Sequence, residues 1–311
     1  LLLVVGAMRV ESRSMTVGEL TSFIYLFTLL IFPLRIIGYV LSSVPHSASG
    51  YKRVREILDE PVVFNPSLLI LDAPDGVGVA LENVSYAFDE HSPVVLDSIS
   101  FRITAGKTVV IVGATGSGKS TLLAVMAGLL QPSQGRVALA GKTASIVFQE
   151  PFLFSGSIEY NICLGQQLSK EMIAEALYLS ASDSFVSELA NGTKTMIGER
   201  GISLSGGQRQ RISLARAIAQ GADVLLLDDT TSALDTVTEA VVVERLRGAS
   251  RKVTTVVVAS RPSTIALADD VLFIEGGKLT DHGPHSALML SNENYRNLMQ
   301  SFEHDRNEGD V

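Results

Sequence analysis

Eight consecutive residues, Gly113-Ala114-Thr115-Gly116-Ser117-Gly118-Lys119-Ser120, have the spacing G-x-x-x-x-G-K-S. Glycines at these places let successive backbone N–H groups turn inward, and the N-terminus of a following helix adds its positive end. Such a loop cradles phosphate oxygens. Lys119 reaches the outer phosphates as a point charge. Ser120 offers a hydroxyl to Mg²⁺, and Thr121 continues the same turn. The chemistry these types and spacings support is the binding of a nucleotide polyphosphate with its metal ion.

The loop must stand between a strand and a helix. Val109-Val110-Ile111-Val112 is a β-branched run of the kind found in buried parallel strands, and the Leu/Ala-rich Ser120–Leu130 suits a helix. A second apolar run, Val224–Leu227, ends in Asp228 and Asp229. It reads as a buried strand that delivers Asp228 to the magnesium.

The 311 residues allow two or three domains. Hydrophobic residues make up 46% and charged residues 19%, below the roughly 25% of average soluble domains. The mean hydropathy of +0.30 points to a membrane-embedded part. A net charge of −8 argues against a nucleic-acid partner, which needs a basic face. The single cysteine, Cys163, excludes an intrachain disulfide and a multi-cysteine zinc site. His282 and His285 read as part of a turn before the last helices rather than as a metal pair. Leu1 reads as an internal start within a longer protein.

The window Phe23–Leu41 holds thirteen Phe, Ile, Leu or Val residues and one charge, Arg35. At about −0.3 to −0.6 kcal/mol each against about +2.5 to +3.5 for a central Arg, insertion into a bilayer is favoured over burial in a soluble core. Pro33 is expected to kink the span. Lys52, Arg53 and Arg55 place its C-terminal side in the cytoplasm. Residues 9–19 read as a polar loop, and residues 47–59 as a helical extension of the span. The expected organisation is residues 1–60 for the end of a transmembrane domain (last membrane helix about 20–44), 61–78 for a linker, 79–302 for a nucleotide-binding domain and 303–311 for a polar, disordered tail.

Between the phosphate loop and the acidic strand stands Leu204-Ser205-Gly206-Gly207-Gln208, followed by Arg209-Gln210-Arg211. With these motifs the whole chain resembles the C-terminal part of an ABC transporter of the exporter type. The resemblance implies an α/β P-loop NTPase domain with a small antiparallel β portion near residues 79–108. It also implies a helical subdomain about 150–215 and a preceding truncated all-α transmembrane segment. It implies ATP and Mg²⁺ as ligands, hydrolysis coupled to transport, the cell membrane as location, and a second half-transporter as partner. Residue by residue, it assigns Tyr86 to stacking on adenine, and Gln149 to Mg²⁺ and the attacking water. Leu204–Gln208 would serve the partner's ATP, with Ser205 and Gly207 as donors to its γ-phosphate. Glu199 would touch the coupling helices, and Asp235 would communicate across the dimer.

Two positions depart from the family pattern. Asp229 stands where the family places a Glu as general base, and Ser260 where it places a His. Both belong to the catalytic set, so the resemblance implies a degenerate ATP site in one half of a heterodimer. A slow but functional homodimer and a mainly regulatory nucleotide-binding subunit remain as alternatives.

Overall fold

The structure, a computed structural model, describes residues 2–59, 70–89, 91–198, 204–230, 234–249 and 253–309. They fall into two units, residues 1–64 and 65–311.

The first unit holds α1 (Leu2–Glu11) and α2 (Val17–Leu58). The polar loop expected at 9–19 is shorter, because α1 persists to Glu11 and Thr16 already caps α2. The Thr16 hydroxyl accepts from the Glu19 N–H at 3.2 Å, and the Glu19 carboxylate accepts from the Thr16 N–H at 2.8 Å. This reciprocal box fixes the helix start. Gly6 of α1 packs on Leu20, and a Cβ there would lie 2.3 Å from Leu20 Cδ1. Helix α2 is continuous through Pro33 and Pro45 for 42 residues. At 1.5 Å per residue that is roughly 63 Å, about twice a hydrocarbon core. Its most apolar stretch has mean hydropathy 2.1, and none of its side chains is buried. By length and composition it can cross a membrane and still extend beyond it.

The second unit is built on two sheets. The larger contains β4 (Thr108–Val112), β6 (Ala144–Val147), β9 (Val224–Asp228), β10 (Thr254–Val258), β11 (Asp270–Glu275) and β12 (Lys278–Gly283), in the order β12-β11-β4-β10-β9-β6. All neighbours are parallel except β12 on β11. Strands β4, β9 and β10 are buried along their whole length, which is why they appear as unbroken apolar runs.

The smaller sheet contains β1 (Ile70–Asp72), β2 (Val77–Tyr86), β3 (Leu96–Thr104) and β5 (Gln134–Leu139), in the order β1-β5-β2-β3. Two boundaries move here. Ile70 is buried and pairs with Val137, so part of the 61–78 segment expected as linker is sheet. Strand β5 follows the phosphate loop in sequence yet pairs with β2, with Leu81 opposite Val137, so this sheet is not confined to 79–108. Helix α3 (Lys119–Met126) buries Leu122, Leu123 and Met126 in a core shared with Leu81, Ile99, Ile111 and Leu226 from both sheets.

A helical portion follows, with α4 (Ile158–Cys163), α5 (Lys170–Leu179), α6 (Asp183–Glu188) and α7 (Gly206–Ala219) around a core of Leu153, Ile158, Ile162, Phe185 and Ile212, edged by the short antiparallel pair β7 (Gly156–Ser157) and β8 (Met196–Ile197). Helices α8 (Thr236–Gly248), α9 (Pro262–Ala266), α10 (His285–Ser291) and α11 (Glu293–Gly309) complete the unit. Residues 303–309, expected as disordered tail, continue α11. His285 Nδ1 lies 2.7 Å from the Tyr295 hydroxyl, whose pKa burial pushes up to about 12. His282 lies on β12 opposite Leu272.

Candidate functional site

Strand β4 ends directly at Gly113. A Cβ there would fall 2.2 Å from the Ile274 carbonyl oxygen of the adjacent strand and 2.6 Å from Ser117 Oγ, so only glycine lets the chain turn away so tightly. Gly118 has φ +98° and caps the N-terminus of α3, which aims its unpaired N–H groups at the turn. Ser117 Oγ is buried and has no hydrogen-bond partner, an unsatisfied donor inside the cradle.

Lys119 Nζ donates to the carbonyls of Gly113 and Ala114, at 2.9 Å each. The loop thus folds around its own lysine. Burial lowers the Lys119 pKa, opposed by the Asp229 and Asp228 carboxylates. Ser120 Oγ donates to Asp228 Oδ1 at 2.9 Å, joining the start of α3 to the end of β9. Burial raises the Asp228 pKa, against the Ser120 hydrogen bond and the Lys119 charge.

Asp229 stands at φ +44°, a left-handed conformation that Asp tolerates better than most residues. Gln149 Nε2 donates to Asp229 Oδ2 at 3.3 Å. Burial raises the Asp229 pKa, and repulsion from Asp228 adds to it. Ser260 follows the end of β10. The structure brings Gly116, Lys119, Thr121, Gln149, Asp229 and Ser260 around one open cavity of about 490 Å³, which Phe302 of α11 also borders. That volume suits a nucleotide. Ser120, Asp228 and Gln149 offer hard oxygen donors beside the lysine, a set that fits Mg²⁺ shared with phosphate oxygens.

Tyr86 is not placed for stacking. It is 7% exposed, because it ends β2 within the core between the sheets, and the edge of one ring meets the face of the other where it packs with Phe88, at 5.3 Å between centroids. Phe88, two residues on, is 65% exposed. The Tyr86 carbonyl accepts from Val95 N at 2.8 Å, and Val95 borders the cavity. Phe88 is thus the exposed aromatic of this stretch. The stretch Val84-Ser85-Tyr86-Ala87-Phe88 holds two aromatics, of which the resemblance singles out Tyr86, and burial separates them.

The signature segment stands apart from this cavity. Leu204 is buried, while Ser205 is exposed and caps α7. Ser205 Oγ accepts from Gln208 N at 3.2 Å, and Gln208 Oε1 accepts from Ser205 N at 2.9 Å. An accepting hydroxyl keeps its own proton to donate. Gly206 and Gly207 open the helix without side chains, so its N-terminus stays accessible. Arg216 clamps α7 to the helical portion through the Asn161 carbonyl, Asn161 Oδ1 and the Phe152 carbonyl, at 2.8 Å each.

Asp235 caps α8, accepting from Thr238 N at 2.9 Å, and this bond holds its pKa below the ordinary range. Glu199 lies outside the described residues.

Fold and site together define a P-loop nucleotide-binding domain, in a chain that also carries a helix able to cross a membrane. Residues 96–232 match the family model described as ABC transporter. The chain is 40% identical over 252 residues to the mycobactin import ATP-binding/permease protein IrtB of Mycolicibacterium smegmatis, covering 77% of this chain and 43% of that protein. It is 33% identical to the uncharacterized ABC transporter ATP-binding protein YwjA of Bacillus subtilis, covering 96% of this chain and 54% of that one. The structure of a bacterial Atm1-family ABC exporter with ATP bound overlays with a TM-score of 0.73 at 30% identity, covering 92% of this chain and 53% of the other. The chain spans about half the length of the curated relatives it matches. It belongs to the ABC transporter family, with the architecture of the exporter type.

Proposed function

We propose that the chain is the ATP-binding half of a membrane transporter and that its own ATP site hydrolyses slowly. The observation that carries the reading is the pairing of Asp229 and Ser260 at one cavity with an intact phosphate loop. Binding needs the loop, Lys119, Ser120 and Asp228. Hydrolysis also needs a base within reach of water and a group on the γ-phosphate. Asp229 is one methylene short of the family's Glu, and Ser260 has neither the reach nor the charge of an imidazole.

On nucleotide entry Lys119 exchanges its two loop carbonyls for phosphate oxygens. Phe88 offers its exposed face to the base. Gln149 holds the Asp229 carboxylate at the cavity wall. When bound there, Mg²⁺ neutralises phosphate charge, with Ser120, Gln149 and Asp228 as its protein ligands. The capped N-terminus of α7, with Ser205 and Gly207, faces a second half-transporter and completes the partner's site. Asp235 and Glu199 contact that partner and the coupling helices. Helix α2 anchors the subunit in the cell membrane with the nucleotide-binding domain in the cytoplasm, and the bound substrate crosses as the two halves close and reopen.

Trapping tests this. The full-length protein is purified with its partner, cycled with radiolabelled ATP and stopped. Nucleotide retained on this chain is expected as ATP. Recovery of ADP there at the same rate as at the partner's site would remove the slow-site reading. A second reading concerns direction: relatives 35–40% identical are named for mycobactin import, which favours inward movement of a mycobactin-like molecule over export.

A further inference from the structure

Helix α8 carries a carboxylate that its own stability does not require. Glu239 lies in its first turn, where an acidic side chain stabilises a helix equally well in water. Instead its side chain is 2% exposed, a costly place for a charge unless it is fully bonded. Both oxygens are bonded. Oε2 accepts from Arg261 Nη1 at 2.9 Å, and Oε1 accepts from the Thr264 hydroxyl. The same Arg261 nitrogen donates to the Leu234 carbonyl at 2.7 Å. Well-packed apolar residues stabilise as well as a buried ion pair, so such a pair suggests a requirement of position.

The ends of this link lie at the site. Arg261 is the neighbour of Ser260 on the cavity wall, and Leu234 precedes Asp235, the cap of α8. Asp229 stands at the other end of the same connection, held by Gln149. Arg261 thus ties the segment that follows β10 to the segment that follows β9. Glu239 holds the guanidinium in the place from which it reaches the Leu234 carbonyl, although the Arg261 side chain is itself 33% exposed.

We infer that Glu239 is a positioning residue: through Arg261 it holds the Leu234 carbonyl, and so sets the start of α8 and Asp235 relative to the cavity wall at Ser260. No motif marks it, since Thr236-Val237-Thr238-Glu239 reads as an ordinary helix start. The inference rests on the phosphate loop being an ATP site, and it adds that ATP binding and turnover are separable at this link.

The test uses the full-length protein with its partner in membranes, and the variants Glu239→Ala, Glu239→Gln and Thr264→Val. ATP binding, ATP turnover and amide exchange are read on the same samples. Glu239→Ala should leave the ATP Kd within about twofold, since it touches no loop group, and lower turnover at least about tenfold, within the roughly 10²-fold that a 1 Å misplacement costs. Exchange should rise at the amides of 234–239 and stay unchanged in β4 and β9. Glu239→Gln keeps an acceptor for Arg261 and should recover most of the turnover. Thr264→Val removes a bond to the same carboxylate but leaves Arg261 held, so it should lower Tm, because a buried oxygen loses its donor, and keep the wild-type turnover. If Glu239→Ala does not accumulate, Arg261→Gln breaks the same link from its exposed end and should give the same pattern. Exchange rising throughout the domain, or Thr264→Val matching Glu239→Ala, would overturn the positioning role in favour of plain stability. Absence of ATP binding by the wild type would instead overturn the ATP site itself, and with it the basis of the inference.

Discussion

Lengthening the acid at position 229 tests the slow site from the side of gain. In Asp229→Glu the carboxylate advances by about 1–1.5 Å, the scale of misplacement that can cost about 10²-fold in rate. At about 1.36 kcal/mol per tenfold, that is roughly 2.7 kcal/mol of barrier. The cavity of about 490 Å³ accepts the extra methylene without displacing a wall. Position 229 is left-handed at φ +44°, where Glu is less at ease than Asp, a strain of about 1–2 kcal/mol. That strain is present with and without substrate, so it lowers stability and not turnover. Asp229→Glu alone should raise turnover at this site about tenfold, and Asp229→Glu with Ser260→His toward 10²-fold. Tm should fall by about 2–4 °C per kcal/mol of strain. The assay is single-turnover hydrolysis in the co-purified transporter, with the partner's site inactivated. A double variant that turns over at the wild-type rate would show that the two substitutions are not what limits the site.

Lys119→Ala should weaken ATP binding by about 10- to 10²-fold, because charge-assisted bonds to phosphate are worth about 1.5–3 kcal/mol and the lysine gives up two carbonyl bonds to make them; calorimetry on both proteins reads the difference. Asp229→Asn should stabilise the nucleotide-free protein at neutral pH, raising Tm by about 2–4 °C for each kcal/mol relieved, since burial and Asp228 both disfavour the carboxylate. Because the folded pKa lies above the unfolded one, the carboxylate's cost is absent below about pH 3.9 and grows as pH rises through the folded value, so the gain should vanish in acid. Phe88→Ala should weaken ATP binding through a lost stack of about 1–3 kcal/mol and leave Tm unchanged, whereas Tyr86→Ala should cost about 3–5 kcal/mol of stability; a binding loss confined to Tyr86→Ala would restore that residue to the site.

The parts of the site that one local segment encodes were legible. The phosphate loop needs glycines at fixed offsets, and β4, β9 and β10 are apolar runs because both faces are covered. What depends on distant partners was not. Strand β5 joins the smaller sheet through its registers with β2 and β1, and Ile70 becomes core by pairing with Val137. Tyr86 and Phe88 are two aromatics on one short stretch, and no local rule says which is buried. Glu239 carries no local mark because its partners, Arg261 and Thr264, are more than twenty residues away. The polar tail misled because composition suggested disorder where α11 simply continues.

On the proposed function, this chain holds ATP at its own loop while its signature serves the partner's hydrolysis. One transport assay tests it directly, with the native partner co-expressed and membrane vesicles loaded with substrate. Ser205→Arg removes the signature cap and should nearly abolish transport, since one such donor is worth about 2.7–4 kcal/mol in a transition state. Asp229→Asn in the same assay should leave most of the transport intact. Equal loss in the two variants would contradict the account and make Asp229 a working general base.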